Sequence, residues 1–99
     1  MKTKFVWDPV KAESNFRKRR VRFETARNVF FDPFALVEEV CIENGEQRWQ
    51  TLGIADDYLL LLVAHTVRND EDGTETIRII SARRAEPKER KRYEQGRCL

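Results

Sequence analysis

The sequence predicts an α+β domain in which an antiparallel β-meander of about four strands follows two N-terminal helices and precedes one C-terminal helix. Three observations predict it. Hydrophobic spacing is helical up to Asp32-Pro33 and strand-like after it, turn residues then cut the chain into successive hairpins, and Pro87 opens a final polar helix. With 99 residues, 40% of them hydrophobic and 10% aromatic, the chain can bury one modest core. The expectation is a single domain over residues 1–95 with a flexible tail at 96–99.

Phe5-Val6-Trp7 reads as a short strand. Asp8-Pro9 then starts a helix, since Asp accepts from the first free N–H groups and Pro suits the first turn. Ala12, Asn15, Phe16 and Arg19 share one face of that helix, which ends near Arg20. Phe23, Ala26, Arg27 and Phe30 form the stripe of a second short helix, stopped by Pro33. Strands are expected at 34–43, 47–54, 58–67 and 75–81. Asn44-Gly45 is a strong hairpin signal, Asp56-Asp57 a two-residue loop, and 69–74 a longer connection with Gly73 free to take positive φ. Tyr58-Leu59-Leu60-Leu61-Leu62-Val63-Ala64 is apolar on both faces, which places it centrally in the sheet with a cover on each side. The last helix should run from Pro87 to about Tyr93.

A formal net charge of +2 conceals a strong segregation. From Lys11 to Arg27 the basic residues Lys11, Arg17, Lys18, Arg19, Arg20, Arg22 and Arg27 meet only Glu13 and Glu24; from Arg83 to Arg92, Arg83, Arg84, Lys88, Arg90, Lys91 and Arg92 meet only Glu86 and Glu89. The centre is acidic. This pattern suits phosphate contact by both ends of the chain, as it also suits a solvated basic face. No apolar run approaches a membrane span and the first residues lack the apolar core of a signal peptide, so a cytoplasmic protein without membrane contact is expected. Cys41 in a strand and Cys98 in a polar tail make no disulfide framework, and both should be reduced. One histidine with two scattered cysteines offers no zinc spacing, and four glycines form no phosphate-cradling loop; neither a metal nor a cofactor is expected.

The segment Ile77-Arg78-Ile79-Ile80-Ser81-Ala82-Arg83-Arg84-Ala85 sets one arginine within an apolar strand and two more at its end. A guanidinium there pairs either with an anionic ligand or with an internal carboxylate, and the sequence leaves both open. Alternation puts Thr76, Arg78 and Ile80 on one face and Ile77, Ile79 and Ser81 on the other. If Asp56-Asp57 is a two-residue loop, Arg48 lies opposite His65; if 70–73 is a four-residue loop, His65 lies opposite Arg78. Arg48, His65 and Arg78 then form a row across three strands, within reach of one phosphate. The transition state of phosphodiester cleavage gathers negative charge and needs proton transfer, so arginines beside a histidine suit RNA cleavage without a metal. A histidine on an apolar strand is otherwise a core residue.

At these residues the chain resembles the BrnT-type toxins. The shared pattern comprises Trp7-Asp8, Lys11, Asn15, Lys18, Phe23-Glu24, Ala26, Asp32-Pro33, Gly45-Glu46-Gln47-Arg48-Trp49, Gly53, His65-Thr66, Arg78-Ile79-Ile80-Ser81-Ala82-Arg83-Arg84-Ala85 with Ile-Ser-Ala-Arg-Arg-Ala its most specific part, Glu89-Arg90 and Tyr93. The resemblance implies a RelE-like ribonuclease of a bacterial type II toxin–antitoxin pair. Such a toxin cuts RNA to arrest growth, is neutralised by a BrnA-type antitoxin, and reaches operator DNA only through it. The expected catalytic residues are His65 as acid or base, Arg48, Arg78 and Arg83 on phosphate, Lys18 assisting from the first helix, and Tyr93 stacking or donating a proton. Arg19, Arg84, Lys88 and Arg92 are expected to bind RNA, and an acidic, partly apolar antitoxin segment to cover Lys18, Arg19 and the 83–92 stretch.

The chain departs from the family where the family commonly reads Lys-His-Gly, since it carries Lys18-Arg19-Arg20. If the glycine is a left-handed helix cap, Arg20 there costs on the order of 1 kcal/mol, or the helix ends differently. Arg19 can hold phosphate but cannot shuttle protons at neutral pH. The alternative function is therefore an inactive nucleic-acid- or antitoxin-binding module that acts as a corepressor.

Overall fold

The computed structural model describes residues 2–97. Helix α1 (Pro9–Arg19) begins where Asp8 accepts the Val10 N–H at 2.9 Å, and Arg17, Lys18 and Arg19 in its last turn complement the negative end of the helix dipole. It ends at Arg20, which is left-handed at φ 61° and ψ 30° and returns its N–H to the Phe16 carbonyl. An arginine thus makes the cap that glycine makes without strain. The Arg20 and Arg22 guanidinium groups lie 5.6 and 4.2 Å from the centre of the Phe16 ring, which offsets part of that strain. Arg20→Gly is expected to stabilise the fold by about 1 kcal/mol, read as a melting temperature raised by about 5 °C. Helix α2 (Phe23–Ala26) continues as a 3₁₀ turn at Arg27–Phe31, so the second predicted helix tightens after one turn.

The sheet consists of β1 (Thr3–Val6), β2 (Leu36–Glu43), β3 (Glu46–Ile54), β4 (Leu60–Asn69) and β5 (Glu75–Arg84), in the order β1-β5-β4-β3-β2. Strands β2 to β5 are the predicted antiparallel meander. To them β1 adds a fifth strand, parallel to β5, making the sheet mixed. Strand β4 is central, as its two-sided apolarity requires. Leu61 and Val63 pack with Val21, Phe23, Ala26, Val29, Ile79 and Ala82 under the N-terminal helices; Leu60 and Leu62 pack with Leu52 and Tyr93 under α3 (Pro87–Arg97). Helix α3 extends beyond the expected end at Tyr93. Cys41 is a free, exposed thiol on the edge strand β2, and Cys98 lies outside the described residues. Among the described residues no helix is long and apolar enough to cross a membrane.

Loop lengths set the registers. Asn44 and Gly45 both take positive φ, 53° and 76°, as a two-residue hairpin demands. The other two hairpins each close with three residues. Ala55 N–H bonds the Leu59 carbonyl at 2.8 Å, which adds Tyr58 to the loop; Asp70 N–H bonds the Thr74 carbonyl at 2.8 Å, which leaves 71–73, with Gly73 at φ 87°. Each loop differs by one residue from expectation, so each register slips by one. His65 pairs with Trp49 and Ile79, while Arg78 pairs with Thr66. The expected row therefore does not form: Arg48 and Arg78 share a face, and His65 turns to the other.

A second irregularity lies in β5. The pairing with β4 shifts between Ala64 and His65, leaving Ile80 as an extra residue in a bulge. The bulge inverts the predicted alternation. Ser81, opposite Ala64, and Arg83, opposite Leu62, come to the face of Arg78. Strand β1 ends at Val6, opposite Arg78, so beyond that point the outer edge of β5 has no strand beside it. Asn15 of α1 takes the vacant place. Its Oδ1 accepts the Ala82 N–H at 3.0 Å, and its Nδ2 donates to the Ala82 carbonyl at 3.0 Å and the Val21 carbonyl at 2.9 Å. This clamp sets the end of α1 beside the bulge.

Candidate functional site

Helix α3 covers only part of its sheet face. Beyond it, Arg19 of α1, Gln50 of β3, Ala64 of β4, and Ser81 and Arg83 of β5 line a cavity of about 130 Å³. A neighbouring depression of about 250 Å³ shares Asn15, Arg19 and Ser81 with this cavity and continues past Lys18. The Asn15 clamp supplies the helical wall and the bulge supplies Ser81 and Arg83.

Arg83 enters the cavity in a fixed orientation. Its two terminal nitrogens donate to the two Glu89 carboxylate oxygens, each at 2.8 Å, and Glu89 also accepts the Glu86 N–H at 2.8 Å. The hydrogen bonds from Arg83 hold the Glu89 carboxyl below the usual carboxylate range, and Glu89 raises Arg83 in turn. Glu89 is therefore ionised at neutral pH and occupied, which makes it a weak proton acceptor and a firm tether.

His65 is not in this cavity. It is 1% exposed on the opposite face, with Nε2 2.7 Å from the Thr51 hydroxyl, Nδ1 3.4 Å from the Thr66 carbonyl, and its ring edge-on to Phe30 at 4.8 Å. Desolvation lowers its pKa from 6.5 to about 4, so at pH 7 it is a neutral core residue without access to a polymer outside. The expected role as acid or base is corrected on that ground. Because the folded-state value lies below the unfolded one, the stability this histidine holds is complete above pH 6.5 and lost as pH falls toward 4, about 3 kcal/mol in all. Denaturant titrations from pH 7 to pH 4 should show that slope, and His65→Gln, which does not titrate, should flatten it.

Tyr93 is also withdrawn. It is 3% exposed and donates its hydroxyl to Asp32, a carboxylate that accepts the Ile54 N–H at 2.8 Å and the Phe34 N–H at 2.9 Å. Tyr93 holds α3 to the sheet rather than stacking a base. Arg48 and Arg78 share the open face but pair with Glu43 and Glu46, which is the internal-carboxylate alternative. Arg92 pairs with Glu38 at 2.6 Å, Arg84 lies opposite Leu61 on the other face from Arg83, and Lys88 is exposed on α3. Of the expected residues, the structure brings together Lys18, Arg19 and Arg83. It adds Asn15, Gln50 and Glu89, for which an amide on an otherwise apolar helix face and a glutamate soon after Arg83 were the available signals. Among the described residues no three His, Cys, Asp or Glu side chains converge as metal ligands.

A family profile described as the ribonuclease toxin BrnT of type II toxin–antitoxin systems matches residues 7–89, a span that holds α1, the bulge, Arg83 and Glu89. The chain belongs to this family. Its members are ribonuclease toxins, and membership implies an antitoxin partner. The crystal structure of the Brucella abortus ribonuclease toxin BrnT, 19% identical, superposes with a TM-score of 0.64 over 87% of this chain and 99% of that one, which shows the same fold. No curated protein matches the chain.

Proposed function

We propose that this chain is a cytoplasmic endoribonuclease toxin that holds the scissile phosphate with Arg83, Arg19 and Lys18, works without a metal, and is neutralised by a BrnA-type antitoxin through which it reaches operator DNA. The observation that carries this reading is the Arg83 guanidinium, tethered by Glu89 at a cavity whose helical rim is Arg19. In the reaction the ribose 2′ oxygen attacks phosphorus, the bond from phosphorus to the 5′ oxygen breaks, and a 2′,3′-cyclic phosphate forms. Arg19 and Arg83 meet the charge that gathers on the non-bridging oxygens, and Lys18 donates to the departing 5′ oxygen. Guanidinium and ammonium groups thus supply the positive charge. With His65 buried and Glu89 engaged, the 2′-hydroxyl proton passes to hydroxide, so the rate should climb with pH and show no histidine inflection.

Incubating the purified chain with RNA in EDTA across pH 6 to 9 tests the proposal. Cyclic phosphate ends and a rising profile are expected; a folded, monodisperse chain that leaves RNA intact would instead favour the corepressor reading. Arg19 in place of histidine favours a slow enzyme. Arg19→His restores a group that can move protons at neutral pH, and should raise the rate about tenfold with a new inflection near pH 6.5.

A further inference from the structure

We propose a second phosphate subsite on α1, formed by Lys11 and Ser14 next to Lys18 over the bulge of β5, which takes the phosphate adjoining the scissile one. It rests on the reading of the Arg19–Arg83 cavity as the scissile site. Lys11, Ser14 and Lys18 follow one another at helical spacings of three and four, so they stand on one stripe of α1, and Lys11 lies about 10 Å along the axis from Lys18 at the scissile site. They line the depression of about 250 Å³, whose floor is Ile80 and Ser81. This depression joins the smaller cavity at Arg19 and Ser81, so an RNA backbone that leaves one enters the other.

The charges there are available. Among the described residues, Arg17 on the same helix is tied to Glu13, and Arg48, Arg68, Arg78, Arg83 and Arg92 are tied to carboxylates, whereas no carboxylate lies within ion-pair distance of Lys11 or Lys18. Ile80, half-buried, offers an apolar surface to a ribose, and the Ser14 and Ser81 hydroxyls offer hydrogen bonds. A depression of this size between a helix and a strand edge admits one ribose-phosphate unit.

The subsite predicts that cleavage improves when the substrate gains a phosphate beyond the scissile one. The ratio of kcat/KM for a short oligoribonucleotide extended by one phosphate, at either end in turn, to that for the dinucleoside monophosphate should fall about tenfold in Lys11→Ala. Binding is read independently with an all-deoxy oligonucleotide of the same sequence, which lacks the attacking hydroxyl. Its log affinity against log salt should lose about 0.7 of slope in Lys11→Ala, the loss of one phosphate contact. Lys11 is exposed, so thermal melting should confirm an unchanged fold, and Ser14→Ala serves as a second variant. Wild-type cleavage with an unchanged ratio and slope in both variants overturns the subsite, as does a loss confined to antitoxin affinity. A Lys11-dependent slope in a chain that cleaves no RNA upholds the subsite as a phosphate site and overturns the cleavage reading.

Discussion

Replacing Asn15 by aspartate should destabilise the fold by about 4 kcal/mol, although the two side chains have nearly the same shape. The amide makes three hydrogen bonds at an 8% exposed position, one accepted from Ala82 N–H and two donated to the Ala82 and Val21 carbonyls. Aspartate keeps the first and turns both others into contacts between a buried carboxylate and carbonyl oxygens. Asn15→Ala leaves the same three backbone groups unsatisfied without adding charge, and should cost about 3 kcal/mol. Because this side chain stands in for a strand along the open edge of β5, its loss also frees the end of α1. Lys18 and Arg19 then lose their placement against Ser81 and Arg83. Denaturant unfolding at pH 7 measures the first effect. Cleavage per folded molecule measures the second, and an aspartate variant within 1 kcal/mol of wild type would show that the clamp does not organise the fold.

The elements themselves were legible in the sequence because each carries a local signal. Asp8 marks the start of α1, positive φ at Asn44-Gly45 marks a hairpin, and two-sided apolarity marks β4 as central. Strand β1 was legible as a strand but not as a neighbour of β5, because a parallel pair with most of the chain between its members has no turn to announce it. The candidate site was lost at single-residue resolution. Tyr58 looks like strand by its apolarity and lies in a loop, while Asp70 looks like loop by its polarity and pairs with Thr74. Each misplacement turns a whole strand by one face, which is enough to part His65 from Arg48 and Arg78. The bulge at Ile80 leaves no mark in an Ile-Ile pair, yet it brings Arg83 to the open face. Family membership was readable from motif order alone, since order survives a change of register. The residue roles attached to those motifs were not, since roles depend on which face a side chain takes.

Arg83→Ala is expected to slow RNA cleavage by two to three orders of magnitude, roughly 3–4 kcal/mol of transition-state stabilisation, while lowering stability by about 1 kcal/mol. The first figure follows from orientation. A guanidinium held at both nitrogens by Glu89 need not reorganise as charge gathers on the phosphate, and its removal leaves the Glu89 carboxylate facing that charge. The second figure is small because the Arg83 side chain is 30% exposed, so solvent screens the pair. Arg83→Lys keeps the charge but not the two-pronged hold, and should fall between alanine and wild type. Glu89→Gln keeps one acceptor, frees the guanidinium to move, and should cost about tenfold. Arg78→Ala, on the same face but tied to Glu46 outside the cavity, should change the rate less than any of these. Single-turnover cleavage in EDTA at pH 8 orders the series. An Arg83→Ala protein that keeps more than a tenth of the wild-type rate would move the scissile phosphate away from this guanidinium.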